Sequence, residues 1–155
     1  MKPQIKKLLI ALAIPLAVGG LAALLSGGMG DFAALNRPPL SPPSWLFPIV
    51  WTLLYLLMGY ASYRVWQKGV DALLTRRALT AYAAQLALNF LWPIIFFGLD
   101  MYLAAFFVLL ALWALIFLTI RLFSQIDETA GDLLLPYILW VSFAGYLNLG
   151  VYILN

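Results

Sequence analysis

The 155-residue sequence contains no cysteine and no histidine. Without cysteine there are no disulfides and no thiolate metal sites. Without histidine the commonest haem and zinc ligand is missing, and so is the usual general base. Charge is also scarce. Nine Lys and Arg and six Asp and Glu make up 10% of the chain, against about 25% in a soluble domain. What is present is apolar: 65% of residues are hydrophobic and the mean hydropathy is +0.99. A soluble chain of this length could not hide so much apolar surface in one core. The composition excludes an ordinary cytosolic enzyme, a disordered chain and a nucleic-acid-binding domain. It points to a membrane protein with little outside the bilayer. The net charge of +3 is dispersed along the chain and reads as topology rather than as a nucleic-acid footprint.

The few charges divide the chain. Uncharged runs cover Leu8–Gly30, Pro38–Tyr63, Ala78–Leu99, Met101–Ile120 and Leu133–Asn155, each near the roughly 20 residues that a spanning helix needs. They predict an all-α membrane protein forming one integral membrane domain over residues 1–155. Its spans run over about 8–26, 45–66, 78–98, 101–123 and 133–154, with a loop over 27–44. Each run is continuous rather than alternating, which favours helices over barrel strands. Lys2, Lys6 and Lys7 ahead of the first run also resemble a signal peptide, but no small-residue cleavage site stands out near Ser26-Gly27-Gly28.

Five spans place the termini on opposite sides. Lys2, Lys6, Lys7, Arg64, Lys68, Arg76, Arg77 and Arg121 then share the N-terminal side, leaving only Arg37 on the other. That bias predicts a multi-pass protein of a bacterial cell membrane with its N-terminus inside. Short connections over Lys68–Arg77, Gly98–Asp100 and Ser124–Asp132 make consecutive helices antiparallel neighbours in one compact bundle.

The longest connection ends Asn36-Arg37-Pro38-Pro39-Leu40-Ser41-Pro42-Pro43-Ser44-Trp45. Its four prolines favour an extended, stiff path. Ser41 or Ser44 is suited to cap the second helix, with Pro42 in its first turn. The segment reads either as a plain rigid connector or as a lid over a cavity opening on that side. Within the spans, Pro15, Pro48 and Pro93 predict kinks that open space between helices, whereas Pro136 suits the first turn of the last helix. Thr80/Ala84 and Ala83/Ala87 are spaced for close helix approach, inside the bundle or across a dimer face.

Depth assigns roles to the polar and aromatic residues. At about 1.5 Å of rise per residue, Trp51, Trp92, Asn89 and Asn148 fall roughly 9–14 Å below the loop-side surface. Gln85, Asn89 and Trp92 follow i, i+4, i+7 spacing and share one helix face. An amide in hydrocarbon needs a partner, so that face points into the bundle. Trp45 and Trp66 lie at span ends and fit an interfacial belt, whereas Trp51, Trp92, Trp113 and Trp140 lie too deep for one. Deep tryptophans with amides between them suit a flat aromatic ligand. The acids, Asp31, Asp71, Asp100, Asp127, Glu128 and Asp132, all sit at span ends or in loops. They form no intramembrane relay, and no nucleotide loop or nucleophile–base pair is present.

Three blocks carry a resemblance. Leu35-Asn36-Arg37-Pro38-Pro39, Pro42-Pro43-Ser44-Trp45, Val50-Trp51-Thr52-Leu53-Leu54-Tyr55 and Met58-Gly59 form the first. The second runs from Ala84 through Asn89-Phe90-Leu91-Trp92-Pro93 to Gly98. The third is Pro136-Tyr137-Ile138-Leu139-Trp140 with Phe143-Ala144 and Leu147-Asn148. Together they resemble the TspO/MBR family, the tryptophan-rich sensory proteins related to the mitochondrial translocator protein (peripheral-type benzodiazepine receptor). The resemblance implies a five-helix bundle, often dimeric, with a pocket under the first loop. It implies binding of porphyrins, notably protoporphyrin, and of benzodiazepine-site ligands, with cholesterol added in mammalian members. By the same resemblance Trp51 and Trp140 face the ligand, Asn89, Trp92, Ala144 and Leu147 match other pocket positions, and Tyr55 stands where the family places an aromatic; Asn148, by its depth, and Pro42 and Pro43, in the loop above, complete the candidate ligand-binding set. There are departures. A Trp-Tyr pair usual before the loop signature is Asp31-Phe32 here, and the aromatic after the first Pro pair is Leu40, which thins the lid. No basic residue follows Arg121, so the mammalian cholesterol motif is absent.

The leading expectation is a tetrapyrrole-binding membrane receptor or carrier with no resident cofactor and no nucleic-acid partner, touching lipid and pairing as a homodimer. Without His or Cys the usual strong axial iron ligands are missing, which favours metal-free porphyrin over ligated haem. The alternatives are a light-dependent porphyrin-degrading enzyme that uses the same tryptophans, and a structural or assembly partner with no small-molecule ligand.

Overall fold

The structure is a computed structural model that describes residues 2–27 and 32–155. It is all-α, and five of its helical segments are long and apolar enough to cross a membrane. In chain order these are α1 (Pro3–Leu25), α2 (Leu46–Lys68), α3 (Ala72–Pro93, continued by a π-helical turn over Ile94–Gly98), α4 (Tyr102–Ile126), and a last segment formed by the short α5 (Glu128–Leu133) and α6 (Leu135–Leu154). Phe32–Ala34 forms a single 3₁₀ turn inside the first loop. Asp31, Gly28 of the candidate cleavage site and the rest of residues 28–31 lie outside the described residues.

One helix start is set by a side-chain cap rather than by the edge of an uncharged run. α3 begins six residues ahead of the expected span because the Asp71 carboxylate accepts from the Leu73 and Leu74 N–H groups at 2.9 and 3.0 Å. Arg76 and Arg77 therefore lie on helix rather than in a connection. Neither Ser41 nor Ser44 caps α2. The Ser41 hydroxyl turns back to the Pro38 carbonyl at 2.7 Å, and the residue before α2 is Trp45, which makes no side-chain cap. Pro48 falls in the first turn of α2, where its missing N–H costs nothing, so no kink is needed there. α1 is continuous from Pro3 to Leu25 across Pro15. Pro93 is followed by the π turn, closed by the Leu99 N–H on the Ile94 carbonyl at 3.0 Å.

α3 packs on α4, α1 on α2, and α4 on α6. The main core runs through Met58, Val65, Ala78, Leu112, Ile116, Phe123, Tyr137 and Val141. Among the described residues, α2 and α6 make little close backbone contact, and a cavity lies between them. Thr80, Ala83 and Ala87 lie on the outer surface of α3 and take no part in packing inside the bundle.

One glycine sets the approach of α1 to α2. A Cβ on Gly59 would lie 2.7 Å from the Ala11 carbonyl oxygen and 2.8 Å from the Leu12 Cα. Both are backbone atoms that cannot rotate away. Gly59→Ala is expected to force the two helices apart and to lower the thermal midpoint in detergent by several degrees. An unchanged midpoint in a circular-dichroism melt would contradict this packing.

Candidate ligand cavity

Four helices and the first loop wall a cavity of about 600 Å³ on the loop side of the bundle. That is within the usual range for a small-molecule site. α2 contributes Phe47, Trp51 and Tyr55; α3 and its π turn contribute Asn89, Trp92, Phe96 and Phe97; α6 contributes Trp140, Ala144, Leu147 and Asn148. Every residue the sequence proposed for the pocket on α2, α3 and α6 therefore borders the same space. Pro42 and Pro43 do not line it; the Pro42 carbonyl instead accepts from the Arg37 guanidinium at 3.4 Å. Ser44 and Trp45 stand at the rim in their place.

The polar atoms are mostly committed. Tyr55 donates its hydroxyl to Asn89 Oδ1 at 3.0 Å, Asn89 Nδ2 donates to the Tyr137 hydroxyl at 2.7 Å, and Tyr137 donates on to Gln85 Oε1 at 2.6 Å. This file crosses three helices and forms the floor of the cavity. Trp92 Nε1 donates to Asn148 Oδ1 at 2.9 Å, and Asn148 Nδ2 donates to the Tyr102 carbonyl at 2.8 Å. Gln85 and Asn89 are 1% and 3% exposed, so the amide face of α3 does point inward. Among the described residues, the two buried N–H donors without a partner at or next to the cavity are Gln85 Nε2, one turn below it, and Trp140 Nε1, on its wall. An unpaired buried donor is costly. A ligand acceptor beside Trp140 would relieve that cost.

Tyr137 holds the floor, a role with no signal in the sequence beyond its place in the resemblance block. Tyr137→Phe strands Asn89 Nδ2 and Gln85 Oε1 at once. The expected loss is about 1–2 kcal/mol of stability, toward the upper end of membrane hydrogen-bond effects because two groups lose their partner. Equal unfolding midpoints for Tyr137→Phe and the parent would remove this role.

The rings form an aromatic wall of two groups, one of Trp51, Tyr55 and Tyr137 and one that joins Trp92 to Trp140 through Phe96, Phe32 and Phe47. Trp51 lies 5.7 Å from Tyr55 and 6.3 Å from Tyr137, centroid to centroid. Trp140 meets Phe47 at 5.8 Å, and Trp92 meets Phe96 at 5.2 Å. Trp113 is not part of it. It faces outward on α4, stacked on Phe117, and donates its N–H to the Ser142 hydroxyl at 2.8 Å. A side-chain partner, not a ligand, explains its depth.

The lid differs from expectation in one respect. Phe32 is 4% exposed and packs edge-on to Phe47 at 5.2 Å and Phe97 at 6.0 Å, with Arg37 over its face at 5.3 Å. It restores an aromatic contact where the sequence implied a thinner lid. Leu40 does not, being 85% exposed. The loop is tied down on the α6 side. Tyr146 donates to the Pro39 carbonyl at 2.6 Å, Asn155 Nδ2 donates to the Asn36 carbonyl at 2.8 Å, and Pro38 packs on Gly150, where a Cβ would strike its ring.

The α1 wall was not legible in the sequence. Leu16, Gly19, Gly20, Ala22, Ala23 and Ser26 line the cavity. A Cβ on Gly19 would run into the Tyr55 ring, so glycine is what lets Tyr55 reach Asn89. The only available signal was the Gly-Gly pair inside an apolar span.

Fold and cavity together define a class: a membrane-embedded five-helix bundle enclosing an aromatic-walled site. Residues 11–154 match the TspO/MBR family, and the chain belongs to that family. It is 39% identical over 137 residues to the protein CrtK of Rhodobacter capsulatus, covering 88% of this chain and 85% of that one. It is 36% identical over 157 residues to the tryptophan-rich protein TspO of Chlorobaculum tepidum, covering 100% and 99%. It is also 38% identical over 138 residues to the translocator protein of Bos taurus, covering 87% and 82%. The chain is thus an integral multi-pass membrane protein of a receptor and sensory family.

Proposed function

We propose that this protein binds tetrapyrroles of the protoporphyrin type, and related flat hydrophobic ligands, in the cavity under its first loop. The role is transport or sensing. The observation that carries the reading is the convergence of Trp51, Trp92 and Trp140 on one space of about 600 Å³, with a free Trp140 N–H on its wall. Rings offer stacking to a flat ligand, and the indole offers it one donor. Among the described residues no cationic side chain lines the space, so ligand carboxylates belong at the rim by Ser44 or outside it. The absence of His and Cys favours metal-free porphyrin. The orientation with the basic side inside a bacterial cell membrane, and pairing as a homodimer with the exposed Ala83 and Ala87 of α3 as one candidate face, belong to the same proposal.

Titration with protoporphyrin in the dark should quench the protein's tryptophan fluorescence saturably. Trp51→Phe and Trp140→Phe should each weaken binding about tenfold, the worth of one good aromatic contact. Parent-level quenching in both variants would sink the assignment. Failure to bind, with a co-purifying protein instead, would favour a structural or assembly role. A second reading, light-driven breakdown of the bound porphyrin, is favoured by the close spacing of Trp51, Tyr55 and Tyr137. Illumination would then yield a new absorbing product, and unchanged spectra would eliminate it.

A further inference from the structure

The cavity wall is not uniform. On α3 and α6 the residues that line it are buried or half-buried, including Asn89, Phe96, Ala144, Leu147 and Asn148. On α1 and at the start of α2 many of them are exposed: Leu16, Gly20 and Ala23 on one helix, and Pro48 and Thr52, with Trp45 at the N-cap position, on the other. The first set follows i, i+4, i+7 spacing and the second i, i+3, i+7. Each is therefore a single helix edge. The two helices are antiparallel and touch closely lower down, where Gly59 meets Ala11 and Leu12 and where Gly19 meets Tyr55. Toward the loop their edges part. A Cβ built on Gly20 has nothing within 4 Å.

We infer that this gap between α1 and α2 is a lateral portal, through which apolar molecules pass between the hydrocarbon of the loop-side leaflet and the cavity. Its chemistry suits lipid. Neither edge carries a charge, and the one hydroxyl, that of Thr52, is spent on the Pro48 carbonyl at 2.7 Å. Facing hydrocarbon therefore strands no side-chain donor of Leu16, Gly20, Ala23, Pro48 or Thr52, and Trp45, just before α2, keeps its indole N–H at the depth of the interface. The loop does not offer an equivalent path on the α6 side, where Asn36, Pro38 and Pro39 are all held by Asn155, Gly150 and Tyr146. A hydrophobic ligand partitions into the bilayer first, so an opening in the wall shortens its route and spares it a return through water. The portal deepens the ligand-binding reading, but it makes a claim about lipid access that holds for any apolar cargo.

The test uses the full chain in vesicles of phosphatidylcholine containing a phosphatidylcholine with a diazirine on its acyl chain. After irradiation, the labelled peptides are mapped by mass spectrometry. Labelling is expected on Trp140 and Ala144, which lie behind α1 and α2, as well as on outward residues such as Leu139. Gly20→Leu places its Cβ in open space and is a better helix former, and an unchanged thermal midpoint checks that the fold is kept. It should cut labelling of Trp140 and Ala144 about tenfold, because the added side chain occupies the opening, and leave Leu139 unchanged. Gly20→Ala should have a much smaller effect. Absence of label at Trp140 and Ala144 in the parent, or equal label there in Gly20→Leu, would overturn the portal. Neither result depends on porphyrin affinity, so loss of the porphyrin reading is separable from loss of this one. If porphyrin does bind, Gly20→Leu should slow both its association from vesicles and its release to them about tenfold, because a gate acts on both directions.

Discussion

Replacing Ala144 with phenylalanine should lower affinity for protoporphyrin about 100-fold or more, or about 2.7 kcal/mol, without unfolding the protein. Ala144 is 5% exposed, on the face of α6 that closes the cavity. Trp140 lies one turn to one side and Leu147 and Asn148 one turn to the other, so a benzyl group there has no route except into the cavity. A flat ligand and that ring cannot share the space between Trp51 and Trp140, and overfilling a packed site costs about 1–3 kcal/mol even when neighbours adapt. The bundle itself gains contacts, because the ring fills a void rather than displacing side chains. The discriminating result is therefore a pair: binding lost in a fluorescence titration, with a thermal midpoint equal to or above that of the parent. Parent-like affinity would mean that the ligand sits elsewhere.

The second large effect lies at the opposite end of the bundle. Asp127 stands between α4 and α5, with its side chain only 4% exposed. It accepts from the Arg64 guanidinium at 2.5 and 3.5 Å and from the Lys68 ammonium at 3.4 Å. One carboxylate thus pins the end of α2 to the break in the chain before the last span. The hydrogen bond from Arg64, opposed by burial and helped by Lys68, holds its carboxyl below the usual 3.8 of an aspartate. A carboxyl with a lowered folded pKa adds stability above its unfolded value and loses it as pH falls through the folded value. The thermal midpoint should therefore be steady on Asp127's account from neutral pH down to about 4, then fall below that. Asp127→Asn should lower the midpoint at pH 7, because two cations lose their partner, and should shrink the acid-induced fall. An acid profile identical to the parent's would remove the ion cluster as its source. This is the connection that the charge pattern left as a loop over Ser124–Asp132. The sequence places its acids at a span end or in a loop, and nothing local announces that Arg64 and Lys68, about sixty residues earlier, will fold beside one of them.

The same contrast runs through the site. The i, i+4, i+7 row of Gln85, Asn89 and Trp92 was legible because amides in hydrocarbon must face inward. Which groups satisfy them was not: Tyr55, Tyr137 and Asn148 come from three other places in the chain. The serines before α2 invited a cap that the structure does not use, since the loop's own turn at Pro38 takes the Ser41 hydroxyl. Trp113 looked as deep as Trp92, yet it faces outward. Depth is a one-dimensional measure, and helix rotation supplies the other coordinate.

By itself, the sequence determined the solvent and the number of crossings. Apolar runs long enough to span a bilayer, set off by scarce charges, have one low-energy arrangement, and it needs no knowledge of neighbours. Only the tertiary structure decided which faces meet. It turned Gly19 and Gly20 into a cavity wall, seated Phe32 as part of the lid, left Trp140 with an unpaired N–H, and parted α1 from α2 toward the loop. The physical reason is that lipid and protein interior are equally apolar. Hydropathy therefore cannot tell an outward face from an inward one, and close packing and hydrogen-bond pairing between distant residues make that choice.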